Sequence, residues 1–256
     1  GLNLCPFAKA PHIKGQIHYA VSEAKGLEGL RDELIEQLQA LAALPAEECE
    51  TVLLIVPQML HDFLEFNDFI DKCLEAVDAI KQHADTIGVL VGAPSKNQVP
   101  EGKDLFNSAY FLFEKEIKQV VHKTLLPTYD VFDEYRYFEP AYTWNCIEFK
   151  GQKLAITICE DIWNLGDNPL YRICPMDKMM QQAPDILLNL SASPFDYTHD
   201  EDRKATIKAN VLKYKIPLFY CNAVGSQTEI VFDGGSYAFD KDANLCGSLP
   251  MFESSM

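Results

Sequence analysis

Residues 153–163 read Lys-Leu-Ala-Ile-Thr-Ile-Cys-Glu-Asp-Ile-Trp. The alternating apolar residues up to Ile158 predict a buried strand, and the two acids Glu160 and Asp161 are typical of a helix start. Cys159 would then lie where the helix dipole and free N–H groups stabilise a thiolate and can hold an oxyanion. A buried, inert cysteine is the alternative, because free cysteine is among the most buried residue types. From this stretch alone, both interpretations stay open.

The composition narrows the classes of protein. The formal net charge is -16 over 256 residues, which disfavours non-specific nucleic-acid binding because such a chain repels phosphate. No apolar run is long enough for a transmembrane helix, and no signal peptide is found, so we expect no membrane partner. Eight cysteines are scattered singly, without a C-x-x-C pair. We therefore expect a reducing, cytoplasmic setting, and the histidine spacing predicts no metal site.

The order of predicted elements favours a layered α/β domain. Helices are predicted at Gly26–Leu44, at Phe66–Ala84 with Asn67 as N-cap, and at His199–Tyr214. Apolar strands lie between them, and short turns at 114–116, 150–152 and 233–235 are typical of hairpins. Hairpins mixed with alternating helices and strands predict a sheet that is mixed or largely antiparallel.

A lysine is predicted at the end of another apolar strand. Lys123 follows the strand Ile117–His122, where burying a charge is costly unless it is paired. A surface lysine that extends its amine into water is the alternative. The next segment, 131–138, is rich in aromatic and ionisable residues, so we expect it to fold over a pocket.

Four motifs, taken in order and spacing, are similar to one known family. They are Lys123-Thr-Leu-Leu-Pro-Thr-Tyr129, Phe132-Asp-Glu-Tyr-Arg-Tyr-Phe138, Ile158-Cys-Glu-Asp-Ile-Trp163 and Leu190-Ser-Ala-Ser-Pro194. Over about residues 62–256 the chain resembles the nitrilase superfamily, and more narrowly the glutamine-hydrolysing domain of glutamine-dependent NAD synthetases. The resemblance implies a nitrilase-like four-layer α-β-β-α sandwich with a Glu–Lys–Cys triad.

The resemblance also implies roles for residues in these motifs. Cys159 would attack the side-chain amide of glutamine and form a thioester, while Lys123 would stabilise the tetrahedral intermediates. Glu134 corresponds to the family's supporting glutamate. The remaining roles concern the substrate: Glu160 contributes its backbone N–H to the oxyanion hole, Tyr129 and Ser193 hold glutamine, and the cation for its carboxylate stays open among His199, Arg203 and Lys204.

The chain departs from the family at the general base. The motif that normally carries the triad glutamate corresponds to Leu54-Ile-Val-Pro-Gln-Met-Leu-His61, so Gln58 stands at the glutamate position. A neutral amide cannot accept the thiol proton as a base does. We therefore expect impaired glutaminase activity, with a non-catalytic binding domain or a chimera without intact activity as the alternatives.

The N-terminal part is atypical for this family. Residues 1–68 resemble a separate bacterial family of unknown function, which predicts a junction near Asp62–Asp68 and a chimeric chain. The predicted domains are therefore 1–68, whose helix and strand have the right order to pack into the sandwich, and 69–256. We expect the C-terminal synthetase domain, with its ATP and Mg, to be absent. The expected partners are glutamine, an ammonia-using synthetase domain and further copies of the chain, and no cofactor is expected in this domain.

Overall fold

Two mixed β-sheets form the centre of the structure, a computed structural model that describes residues 51–55, 61–130, 132–227 and 230–253. The side chains of 51–55, 61–62 and 227 are not described. The predicted helix Gly26–Leu44, the position of Gln58 and most of the segment 1–68 lie outside the described residues. The strands are β1 Thr51–Ile55, β2 Gly88–Lys96, β3 Leu105–Phe113, β4 Glu116–His122, β5 Ile147–Phe149, β6 Gln152–Ile158, β7 Ile186–Ser191, β8 Leu218–Asn222, β9 Val224–Gln227, β10 Ile230–Asp233, β11 Tyr237–Phe239 and β12 Leu245–Ser248.

The first sheet has the order β1-β2-β3-β4 within the described residues. β1 and β2 are parallel, and the pairs β2–β3 and β3–β4 are antiparallel. The β3–β4 connection is the predicted tight hairpin, and Glu114 and Lys115 both take positive φ there, at 54° and 57°. Two consecutive positive φ values match the right-handed twist of the strands that a two-residue turn joins.

The second sheet has the order β12-β11-β8-β7-β6-β5 in the same part of the chain. Its central strands β6, β7 and β8 are parallel, and its outer pairs are antiparallel. The hairpin predicted around residues 233–235 is wrong. β10 pairs with β9 in a separate ribbon, and β11 pairs with β8 and β12. Long-range pairing of this kind leaves no signal in a local turn pattern.

Helices cover the outer face of each sheet, which gives the predicted four layers. The helices are α1 Asn67–Lys81, α2 Glu134–Tyr137, α3 Pro175–Met179 and α4 His199–Tyr214. One core lies between α1 and the first sheet and includes Val77, Ile80 and Val91. A second core lies between the two sheets, and a third joins the second sheet to α3 and α4. Alternation along β6 divides these cores, because Ile156 faces the other sheet while Ala155 faces the helices.

Two helix starts differ from their sequence-based predictions. Asn67 is the first helical residue of α1, and Phe66 occupies the N-cap without a side-chain hydrogen bond. The helix predicted after Cys159 is a single 3-10 turn, Cys159–Ile162. A turn of four residues has little macrodipole, so the charges near Cys159 become the more important electrostatic factor. No helix within the described ranges is long and apolar enough to cross a membrane.

Candidate active site

Strand ends bring the predicted site residues to one edge of the sandwich. Cys159 directly follows β6, Ser191 ends β7, and Ser193 comes two residues later. Because β6 and β7 are parallel, their carboxyl ends meet at the same edge. Lys123 directly follows β4 of the other sheet, and its charge acts on Cys159. Cys159 and Lys123 therefore follow strands of two different sheets that face each other.

Cys159 adopts a backbone conformation that most residues avoid. Its φ is +44°, in the left-handed region, where β6 turns sharply into the 3-10 turn. A non-glycine residue held in this region costs about 1–3 kcal/mol, and such strain is concentrated at functional sites. Burial raises the pKa of the Cys159 thiol, while the positive charge of Lys123 acts in the opposite direction. Thiolate formation at this cysteine therefore depends on the lysine.

Lys123 is fully enclosed and ion-paired. Its side chain is 1% exposed, and its Nζ donates to Oε1 of Glu134 at 2.6 Å. The other oxygen of Glu134 accepts a hydrogen bond from the amide of Asn107 at 3.2 Å. Burial by itself lowers the pKa of Lys123, but the charges of Glu134, Cys159 and Asp161 outweigh it and raise the pKa above its usual value. Lys123 is thus a permanent ammonium beside the cysteine.

Glu160 forms a second polar centre next to Cys159. Its buried carboxylate accepts hydrogen bonds from the phenols of Tyr129 and Tyr171 at 2.9 and 2.8 Å, both on Oε1. Burial raises the pKa of Glu160, and the hydrogen bond from Tyr171 opposes that shift. Sequence reasoning found Tyr129 but missed Tyr171, which lies in the irregular segment before α3 and carries no motif signal.

A buried polar network supports the loop after β7. The backbone N–H of Ser193 donates to Oδ1 of Asn222 at 2.8 Å, and the amide of Asn222 donates to the carbonyl of Gly234 at 2.7 Å. Below it, Arg203 donates to both oxygens of Asp233 at 3.2 and 2.9 Å, and neither side chain is exposed to solvent. This network fixes Ser193 between α4 and the β9–β10 ribbon.

The structure distinguishes the three cations that the sequence left open. Arg203 is fully buried against Asp233, and Lys204 pairs with Asp200 at 2.6 Å. His199 is the first residue of α4, half-buried, with its ring centroid 5.2 Å from that of Trp163. Burial lowers the pKa of His199, and the charge of Arg203 lowers it further. Among the three, His199 is the one without an ion pair in the described part of the chain.

Known proteins that are similar to this chain fall into two groups. A family model described as "Protein of unknown function (DUF1415)" matches residues 1–91. The glutamine-dependent NAD(+) synthetase of Synechocystis sp. is 33% identical over 228 residues, which cover 84% of this chain and 41% of that protein. The chain thus spans about two fifths of the length of this relative. The predicted resemblance of residues 1–68 to a separate family of unknown function is confirmed, and the match extends further, to residue 91.

Two solved structures support the fold. The glutamine-dependent NAD+ synthetase of Acinetobacter baumannii, in complex with ADP, has a TM-score of 0.81 and 23% identity over 93% of this chain and 44% of that chain. The second is a glutamate-to-glutamine variant of the amidase from Nesterenkonia sp. AN1, a nitrilase-superfamily protein. It has a TM-score of 0.70 and 18% identity over 91% of this chain and 87% of that chain, and acrylamide has added to its active-site cysteine.

The four-layer sandwich and these similarities define the class of fold: the chain has the fold of the nitrilase-superfamily amidase and of the NAD+ synthetase structure. Within that class, its sequence is related to the glutamine-dependent NAD(+) synthetases. The two similarities overlap in the sequence. Residues 62–256 are 195 of 256 residues, about 76%, so a match that covers 84% must include residues before 62. The domain boundary near residue 68 and the chimeric origin stay predictions.

Proposed function

We propose that this domain hydrolyses the side-chain amide of glutamine through a thioester on Cys159, and that the missing glutamate slows the reaction. The ammonia released would serve the synthesis of NAD by an ammonia-using synthetase domain, where ATP and Mg act. The observation that carries the proposal is the buried Lys123–Glu134 ion pair, 2.6 Å apart, beside a cysteine on a strained turn. A buried ion pair gives little net stability by itself, so its place next to a nucleophile points to chemistry.

Each group near Cys159 has a step to perform. The Cys159 sulfur attacks the amide carbon of glutamine, and the oxygen of that amide becomes negative. The ammonium of Lys123 and the backbone N–H of Glu160 stabilise this charge. Collapse of the tetrahedral intermediate breaks the C–N bond and forms the thioester; solvent water carries the thiol proton to the departing nitrogen, which leaves as ammonia. A second water then hydrolyses the thioester to glutamate and returns a proton to the Cys159 sulfur. Lys123 needs no reorganisation during these steps, because Glu134 already fixes its position.

The charge of Glu160 favours a substrate with an amine. Both phenols donate to the same oxygen, Oε1, and the described residues give Oε2 no hydrogen-bond donor. We propose that Oε2 binds the α-ammonium of glutamine. Tyr129 and Ser193 would contact the same substrate, and His199, at the start of α4, would face its carboxylate.

Replacing Glu160 with glutamine is expected to raise KM for glutamine about 10–100-fold, with a much smaller change in kcat. A hydrogen bond to a charged group contributes about 1.5–3 kcal/mol, and the neutral amide loses the charge interaction while the backbone N–H stays. Steady-state kinetics with glutamine test this. Glutaramic acid, which lacks the α-amine, is the control substrate. An equal rise of KM for both substrates would argue against an ammonium site.

The position of the general base limits the expected rate. Gln58 cannot take the thiol proton, and among the described residues Glu134 is the carboxylate hydrogen-bonded to Lys123. Loss of a general base typically lowers the rate about 10²–10⁴-fold. The Nesterenkonia amidase variant, in which glutamine replaces a glutamate, still carries acrylamide on its cysteine. We therefore propose that Cys159 stays nucleophilic here and that turnover is slow.

Ammonia release from glutamine, followed together with mass spectrometry of acid-quenched protein, tests the proposal. Cys159→Ala is the blank, and Cys246→Ala, on β12, is the matched control. Ammonia that requires Cys159 but not Cys246 supports glutamine hydrolysis. The same rate in Cys159→Ala would overturn it. A stable adduct on Cys159 with no more than one ammonia released per chain would mean acylation without hydrolysis of the thioester.

A non-catalytic glutamine-binding domain is the second candidate function, and the amide at Gln58 favours it. It predicts neither adduct nor ammonia, together with glutamine binding that calorimetry detects and that Glu160→Gln weakens. The proposed setting in both cases is the cytoplasm, where thiols are kept reduced. Assembly into a homo-oligomer stays a prediction.

A further inference from the structure

Asp161 connects the two strand ends that carry the lysine and the cysteine. Its Oδ1 accepts the backbone N–H groups of Thr124 and Leu125 at 3.0 and 2.9 Å, directly after Lys123. Its Oδ2 accepts the backbone N–H of Ile158 at 3.1 Å, directly before Cys159. One side chain, 1% exposed, therefore accepts hydrogen bonds from three backbone N–H groups, one at the end of β6 and two directly after the end of β4 in the other sheet.

We infer that Asp161 is a positioning residue that sets the distance between the Lys123 ammonium and the Cys159 sulfur. Lys123 and Cys159 lie on opposing sheets, and the contacts between those sheets near the site are apolar and non-directional. Hydrogen bonds from one carboxylate to both strand ends are directional. They therefore fix a separation that apolar packing alone would leave loose.

The free-energy cost of burying the ionised carboxylate of Asp161 supports a role beyond ordinary loop capping. Burial raises the pKa of Asp161 to about 6, although the N–H groups of Leu125 and Ile158 act in the opposite direction. Because the folded-state pKa lies above the usual value of 3.8, the ionised group reduces stability above about pH 6, and this loss disappears as the pH falls toward 4. The fold keeps a destabilising charge at the point where nucleophile and cation meet.

The effect expected on glutamine kinetics rests on the proposed function, whereas the effect expected on the alkylation of Cys159 does not. Asp161→Asn puts an NH₂ group against at least one backbone donor. We expect kcat to fall about 10²-fold, as a misplacement of about 1 Å can cause, while KM changes little. The pH profile of Cys159 alkylation by iodoacetamide should also shift to higher pH, because Lys123 is no longer held beside the thiolate. If Asp161→Asn only removed a negative charge, the alkylation profile would shift to lower pH, because a nearby negative charge disfavours the thiolate.

The experiment measures glutamine kinetics and the pH profile of Cys159 alkylation, read by peptide mapping, in the full chain. Asp240→Asn is the matched control. Oδ1 of Asp240 also accepts two backbone N–H groups, those of Asp242 and Asn244, at 2.9 and 2.8 Å in an exposed turn. Circular dichroism and thermal melting establish that each variant is folded.

Lower kcat and an alkylation profile shifted to higher pH in Asp161→Asn, with neither in Asp240→Asn, support the inference. A folded Asp161→Asn with unchanged kcat and profile, or with a profile shifted to lower pH, overturns it. If Asp161→Asn does not fold, Asp161→Glu decides: it keeps the charge but displaces the acceptors, so an unchanged profile overturns the inference. If the native chain releases no ammonia, the proposed function fails, and the alkylation profile still tests the position of Lys123.

Discussion

Replacing Gln58 with glutamate is expected to raise kcat for glutamine hydrolysis about 10²–10⁴-fold, the usual contribution of a positioned general base. The sequence supplies every other group of the proposed mechanism, and Cys159, Lys123 and Glu134 are within interaction range of one another. A carboxylate at position 58 would accept the thiol proton and later activate water. The variant differs from the native chain by one amide group, so any gain in rate can be assigned to that atom change.

The measurement is ammonia release in single-turnover and steady-state experiments on Gln58→Glu and the native chain. Gln98→Glu is the matched control, because Gln98 is an exposed glutamine on the loop after β2. If both variants behave like the native chain, position 58 is not the base position, and the similarity of that stretch to the family motif is misleading. A gain that disappears in the Gln58→Glu, Cys159→Ala double variant would confirm that the new carboxylate acts through the cysteine.

The burst phase gives a second observable for the same variant. If the native chain acylates but does not hydrolyse the thioester, it should release at most one ammonia per chain, and Gln58→Glu should convert this into continuous turnover. If acylation itself is slow, both phases should accelerate together. The ratio of the two phases therefore tells which proton transfer the missing glutamate would have performed.

Local patterns predicted the elements that local sequence determines. α4 begins at His199 and ends at Tyr214 as predicted. Three acids, Asp200, Glu201 and Asp202, lie in its first turn, and Lys215 ends the helix with a positive φ. The turn at Cys159 was predicted from a strand followed by acids, but its length was not, since the choice between an α-helix and one 3-10 turn depends on what packs behind it.

Contacts between distant segments could not be predicted. Tyr171 joins Glu160 from an irregular segment, and nothing in its neighbours marks it. Asp161 looked like one of two acids at a helix start, and its actual partners, Thr124 and Leu125, lie 37 and 36 residues earlier. Such hydrogen bonds depend on the packing of two sheets, which a one-dimensional pattern does not contain. The motif resemblance located Cys159, Lys123 and the supporting Glu134, whereas the contacts of Asp161 and Tyr171 came only from the structure.

Replacing Lys123 with methionine is expected to lower the free energy of unfolding by about 3–5 kcal/mol, because it leaves the carboxylate of Glu134 buried without its cation. The two side chains are 1% and 10% exposed, so solvent cannot replace the lost partner. Ammonia release should fall about 10²–10³-fold in the same variant, as when one preorganised donor to a developing oxyanion is removed. Urea denaturation and ammonia release measure the two effects separately.

The double variant Lys123→Met, Glu134→Gln separates stability from chemistry. A neutral amide at position 134 removes the uncompensated charge and keeps a polar partner for Asn107. Replacing a whole buried ion pair is often nearly neutral, so the free energy of unfolding should return to within about 1 kcal/mol of the native value. Ammonia release should stay low, because no ammonium remains to stabilise the tetrahedral intermediate.

Recovery of both the free energy of unfolding and ammonia release would mean that Lys123 only neutralises Glu134. If neither recovers, the lysine is needed for packing. Recovery of stability alone is the result that a catalytic lysine requires.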